Sequence, residues 1–209
     1  MQNTEPEIIF DEEPHTYYLG GVIIPSVSAI VADVCRIDFS SVPAEIMERA
    51  IRFGNFTHKA TELIDKHTLD FNSIDEALVH VCSEYMRFKE DFGIEIIKNE
   101  YVVYSKNYNY AGRLDRVVLF NKGRFAGKLS NLDIKTKSHV GPESHLQVDG
   151  YSSAWNENNP NDKCKSKFIL QLLPDKPYKL IDSNDPKHMG QFVMAARTYN
   201  WKKAVGIIK

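Results

Sequence analysis

The segment Leu132-Asp-Ile-Lys-Thr-Lys-Ser138 places an acid and a base two residues apart in a run that reads as a strand. Side chains on a strand alternate between faces, so Asp133 and Lys135 share one face while Ile134 turns to the opposite, apolar one. Eighteen positions earlier, Asp115 stands in a second strand-like run, "GRLDRVVLF". If the two runs pair antiparallel about Arg124, Asp115 lies across from Asp133 with side chains roughly 5 Å apart. Carboxylates so placed repel unless a cation separates them. Oxygen ligands favour Mg²⁺ or Mn²⁺ as that cation. The chemistry suited to such a group is hydrolysis of a phosphodiester. Metal neutralises the anionic substrate and lowers the pKa of a bound water, while an ammonium orients that water or stabilises developing charge. The hairpin alone equally admits two solvent-facing aspartates, each paired with a nearby Arg or Lys.

The elements that must position these residues follow from local pattern. Residues 8–31 read as two short strands around Gly20-Gly21, leading into a helix after Pro25-Ser26. Residues 43–66 have helical spacing with an interruption near Gly54. A capping box, Ser73-x-x-Glu76, opens the next helix, which closes at Gly93. From Glu95 the pattern turns strand-like through "IIKNEYVVYS", "GRLDRVVLF" and "KLSNLDIKT". Residues 143–156 return to helix, "SKFILQLL" and "YKLI" form a further strand pair separated by Pro174 and Pro177, and a last helix begins at Asp185-Pro186. Without repeats or low-complexity linkers, residues 1–209 are expected to form a single α/β (α+β) domain. Its N-terminal hairpin and helical part would occupy 1–94, and its sheet, a second helix and the C-terminal helix 95–209.

Composition narrows the class. The chain has 209 residues, 43% hydrophobic and 26% charged, as in ordinary globular proteins. No run approaches a membrane span, and the acidic start lacks the pattern of a secretory signal, so a cytoplasmic protein without membrane contact is expected. Cys35, Cys82 and Cys164 are scattered, which argues against a disulfide framework. Residues 1–100 hold 8 Lys+Arg against 19 Asp+Glu, whereas residues 101–209 hold 18 against 9. A basic half suits a polyanionic partner. Lys163, Lys165 and Lys167 form an alternating strip that could be a solvated face or a phosphate-contacting one.

In order along the chain, Gly54-x-x-x-His58-x-x-x-Glu62, Gly112-x-x-Asp115, Asp133-Ile134-Lys135 and Gln147-x-x-x-Tyr151 resemble the signature of the PD-(D/E)XK nuclease superfamily. The likeness is greatest to its RecB-like exonuclease branch, including small phage-type recombination nucleases. The resemblance implies a restriction-endonuclease-like core, a central mixed β-sheet flanked by helices, with an N-terminal hairpin and helical lobe. It implies one or two Mg²⁺ or Mn²⁺ ions held by His58, Asp115, Asp133, the Ile134 carbonyl and, least directly, Glu100. Lys135 would be the catalytic lysine, with Gln147 and Tyr151 positioning substrate from one helix face. Arg113, Lys137, Lys163, Lys165 and Lys167 would be nucleic-acid contacts. The partners implied are linear DNA, a single-strand annealing recombinase and further copies of the chain. Some relatives carry an iron–sulfur cluster on four cysteines, a pattern that three scattered cysteines cannot supply. Two alternatives stay open: a catalytically silent nucleic-acid-binding or assembly module, and a restriction-like endonuclease.

Overall fold

In the computed structural model, which describes residues 7–36 and 40–208, the long apolar-rich runs assemble into one five-stranded sheet. The acidic start, up to Pro6, lies outside the described residues. The N-terminal segment forms three strands rather than two: β1 (Ile8–Asp11), β2 (Thr16–Leu19) and β3 (Val22–Ile24), in an antiparallel sheet of order β1-β2-β3. Gly20 and Gly21, both at positive φ, make the tight β2–β3 turn. The extra strand arises because Glu12–His15 turns the chain back, with His15 at a φ of 49°.

Helix α1 (Val27–Cys35) starts at Ser26, whose hydroxyl accepts the Ala29 N–H at 3.0 Å. Helix α2 (Ala44–Asp65) runs straight through Gly54, with no interruption there. A Cβ on Gly54 would meet Thr136 Oγ1 at 3.4 Å, an ordinary contact, so the position faces the residue that follows β6 with room for a methyl group. Helix α3 (Glu76–Phe92) is capped by Asp75, not Ser73. The Asp75 carboxylate accepts the Ala77 N–H, whereas Ser73 belongs to a short 3₁₀ turn. Asp75 is closer to the helix start and its carboxylate is the better acceptor at the positive helix end.

Strands β4 (Ile94–Ser105), β5 (Tyr110–Phe120), β6 (Leu129–Lys135), β7 (Ser166–Leu173) and β8 (Lys176–Asp182) lie side by side in chain order. All neighbours are antiparallel except β6 and β7, which are parallel and joined through α4 (Pro142–Asn158). A parallel pair needs such a crossover. Pro177 lies inside β8, which stands at the sheet edge, where a missing N–H is tolerated. Helix α5 (Pro186–Ala204) follows its Asp185 cap as anticipated.

The sheet is covered on both faces. Val27, Ile30, Val117, Trp155 and Phe192 form one apolar layer beneath α1, α4 and α5. Phe88, Val118, Phe120, Leu132, Ile134 and Phe168 form the other beneath α2 and α3. Among the described residues no helix is long and apolar enough to cross a membrane.

Candidate metal centre

Strands β5 and β6 pair as Arg116 with Leu132, Val117 with Asn131, Val118 with Ser130 and Leu119 with Leu129. This is the register that brings Asp115 opposite Asp133. The ladder stops there, and the strands part. Beyond the last pair, the Ile134 N–H donates to Asp115 Oδ2 at 2.6 Å in place of a ladder bond. Residues of a ladder present N–H and C=O to the same edge, so the Ile134 carbonyl faces the same gap.

On the other side of β5, Asn99 pairs with Arg116 and Tyr101 with Leu114, which puts Glu100 across from Asp115. Glu100 holds a φ of 46° within a strand, a conformation non-glycine residues rarely adopt. Strain of this kind persists where surroundings enforce it, commonly at functional sites. His58 reaches the same point from α2. Its Nδ1 lies 3.6 Å from Asp115 Oδ1 and 3.7 Å from Glu100 Oε1. One ligand atom from each of His58, Glu100 and Asp115 falls within 4.8 Å of the others. Two ligands of one divalent ion, with bonds of about 2.1 Å, stand about 3–4 Å apart, so the donor set fits such an ion.

Asp133 is not a member of this set. It is 1% exposed, and the Lys135 ammonium lies 2.7 Å from its Oδ2. Among the described residues its carboxylate has no hydrogen-bond donor besides that ammonium. Burial pushes the Asp133 carboxyl upward, against the pull of Lys135. Burial also opposes the Lys135 charge, yet the Asp133 and Asp115 carboxylates outweigh it and hold Lys135 above the ordinary lysine value. His58 follows the same logic: burial lowers its pKa, Asp115 and Glu100 raise it, and the carboxylates prevail. Three carboxylates thus meet in low dielectric, Asp133 held by Lys135 and Glu100 by Arg113 and Arg116, which leaves the Asp115–His58 side as the place where a cation would take over from the imidazole proton.

His58, Glu100, Asp115, Lys135, Gln147 and Tyr151 line one cleft of about 840 Å³. Gln147 and Tyr151 share a face of α4, and the Gln147 amide donates to the Tyr151 hydroxyl at 2.8 Å. Tyr151 is also core, packed with Leu114 and Val117. Burial and the two aspartates push its phenol well above its usual range.

The expected nucleic-acid contacts divide. Arg113 lines the cleft, paired with Glu12 at 3.1 Å and Glu100 at 3.3 Å. Lys137 pairs with Glu143. Lys163, Lys165 and Lys167 are not among the cleft-lining residues. The Lys165 N–H bonds Leu129 O at the start of β6, roughly 20 Å along the strand from Lys135. Lys167 pairs with the buried Asp149. Lys59 and Lys66, not singled out by sequence, do line the cleft and both pair with Glu62. Their helical spacing from His58, i+1 and i+8, offered only a weak signal. Arg116 was also missed, although a lone arginine on the inward face of "RVVLF" is anomalous.

No family model matches the chain, and no curated protein matches it. Among solved structures it is similar to a protein from Eubacterium rectale whose assigned name is that of a candidate exonuclease. The identity is 6%, the match covers 74% of this chain and 68% of that one, and the TM-score is 0.45. A second structure, SSO0001, is 15% identical, with 70% of this chain and 68% of that one covered and a TM-score of 0.34. Likeness at this level says nothing about chemistry, which rests on the residues themselves.

Proposed function

We propose that the chain is a metal-dependent nuclease that hydrolyses DNA phosphodiester bonds, acting from a free end. The observation that carries this reading is the convergence of His58, Glu100 and Asp115 on one point of a cleft that also presents the Lys135 ammonium. A catalytically silent module has no use for three carboxylates and an imidazole gathered at one cleft, since desolvating each charge costs several kcal/mol even where a partner offsets part of it.

A divalent ion, Mg²⁺ or Mn²⁺, held by His58, Glu100 and Asp115 supplies charge neutralisation and a bound water of lowered pKa. The chain's own groups do the rest. Lys135 keeps its proton because two carboxylates face it, and so presents a cation to the scissile phosphate and to the attacking water. Asp133 holds that ammonium in place at 2.7 Å. The Gln147 amide, anchored on the Tyr151 hydroxyl at 2.8 Å, would exchange its long 3.5 Å bond to Ser28 Oγ for a phosphate oxygen or adjacent base. Arg113, Lys59 and Lys66 face incoming phosphates at the cleft wall.

The test is incubation of purified protein with linear and with covalently closed circular DNA, with and without Mg²⁺ or Mn²⁺. Degradation of linear DNA that needs the ion, falls by several orders of magnitude in Asp115→Asn and Lys135→Ala, and spares circles is the expected result. Absence of ion-dependent hydrolysis, or equal hydrolysis by the variants, refutes the nuclease. Discrete fragments from circles point instead to a restriction-like endonuclease. A place in phage or mobile-element recombination, with an annealing recombinase as partner and self-assembly, belongs to the same proposal through the motif resemblance. Co-purification with such a recombinase and light scattering test those two associations.

A further inference from the structure

Arg116 is fully buried, 0% exposed, in a strand otherwise lined by apolar side chains on that face. A guanidinium placed there must be satisfied completely, because its desolvation is costly. Its partners come from every element that supplies the proposed metal ligands. Nη1 donates to Glu100 Oε1 at 2.9 Å and to the Asp115 backbone carbonyl at 2.7 Å. Nη2 donates to Thr61 Oγ1 at 3.1 Å, and that hydroxyl shares its one proton between the Thr57 carbonyl at 2.9 Å and the His58 carbonyl at 3.0 Å, which ties it to the turn of α2 that carries His58. Nε donates to Asp65 Oδ2 at 2.7 Å, two helical turns beyond His58 on α2. Asp65 is itself held by the Tyr85 hydroxyl at 2.8 Å and Lys89 Nζ at 2.6 Å, both on α3.

We infer that Arg116 is the positioning residue that assembles the metal-ligand set, tying Glu100, Asp115 and, through Thr61, His58 to one rigid planar fork. The inference rests on the proposed metal site. Arg116 is fully buried and is not among the cleft-lining residues, so it acts on the site through its partners. It fixes the strained backbone of Glu100 by anchoring its carboxylate, and it fixes the peptide of Asp115 by bonding its carbonyl. A lysine in its place carries the charge but cannot span three directions with fixed geometry.

The experiment measures Mn²⁺ affinity by electron paramagnetic resonance, alongside the thermal midpoint, with no DNA present. Arg116→Lys and Arg116→Met are expected to weaken Mn²⁺ binding roughly 10–100-fold, the range for residues that orient ligands. Glu100→Gln should weaken it comparably, and Arg116→Met with Glu100→Gln should lose less than the sum of the two, since Arg116 acts in part through Glu100. Leu170→Ala, in the apolar layer beneath α3, controls for stability: it should lower the midpoint and leave Mn²⁺ affinity unchanged. Wild-type affinity in the Arg116 variants, additive losses in the double variant, or an equal loss in Leu170→Ala overturns the inference while leaving the nuclease intact. Where the Arg116 variants fail to fold, Thr61→Val decides. It removes the link to His58, so weakened binding supports the inference and unchanged binding overturns it. A wild-type protein that binds no Mn²⁺ overturns both the inference and the proposed function.

Discussion

Gly112 carries no side chain because Tyr151 fills the space one would take: a Cβ there would lie 2.5 Å from Tyr151 Cε1. The glycine that opens the Gly112-x-x-Asp115 motif therefore exists for packing, letting α4 press its cleft-side face against β5. Gly112→Ala is expected to cost about 1–3 kcal/mol of stability through overpacking, read by denaturant unfolding, and to displace Tyr151 with its Gln147 partner. A second single-residue effect concerns pH. His145 bonds Ser183 Oγ at 2.9 Å and stacks on His188 at 5.0 Å, well outside the metal centre. Burial, and then the neighbouring His188, lower its pKa below the ordinary 6.5. The unfolded chain thus takes up this proton first, and stability is lost as pH falls below about 6.5. His145→Gln should lose less of its thermal midpoint between pH 7 and pH 5 than the wild type. An identical decline in both proteins would contradict this.

Among the elements, α2 shows how context overrides a local signal. The glycine in "RFGNF" suggested a break, yet the helix continues, because Thr57, Ala60, Thr61 and Ile64 in the turns that follow it are buried against the rest of the fold. Tertiary packing of an amphipathic face outweighs the roughly 1 kcal/mol cost of one interior glycine. The Cβ of an alanine at position 54 would sit 3.4 Å from Thr136 Oγ1, an ordinary contact. Gly54→Ala is accordingly expected to be neutral or to stabilise by up to about 1 kcal/mol, measured by chemical denaturation. A marked loss of stability would overturn that expectation. The β5–β6 pair makes the complementary case. A hairpin symmetric about Arg124 is the register the structure adopts up to Arg116–Leu132, although both faces of β5 are buried and alternation alone would not exclude a slip. The extra N-terminal strand was not readable, since nothing in "DEEPHT" marks a turn more strongly than "LGGV" beside it.

At the level of the whole molecule, the two apolar layers share the same five strands, so residues 1–94 and 95–209 are expected to unfold together in one calorimetric transition. Filling the metal centre should raise that transition. At a hundredfold excess of Mn²⁺ over its Kd the gain is about 2.7 kcal/mol, which in a chain of this size moves Tm by roughly 5–10 °C. Asp115→Asn should abolish the shift, and an ion-independent Tm in the wild type would count against the centre.

Sequence alone anticipated the shared face of Asp133 and Lys135, the shared helix face of Gln147 and Tyr151, and the alternation of helices with one central sheet. Each of these follows from a period of 2 or 3.6 and needs no knowledge of distant neighbours. Folding in three dimensions decided the rest. It gave Glu100 a left-handed backbone that turns its carboxylate toward His58, drew Asp133 to Lys135 rather than into the triad, and left Lys163, Lys165 and Lys167 outside the cleft. It also buried Arg116 where α2, β4 and β5 meet. Those outcomes depend on which charged groups end up within a few ångströms of one another in low dielectric, a property of the assembled chain that no local spacing encodes.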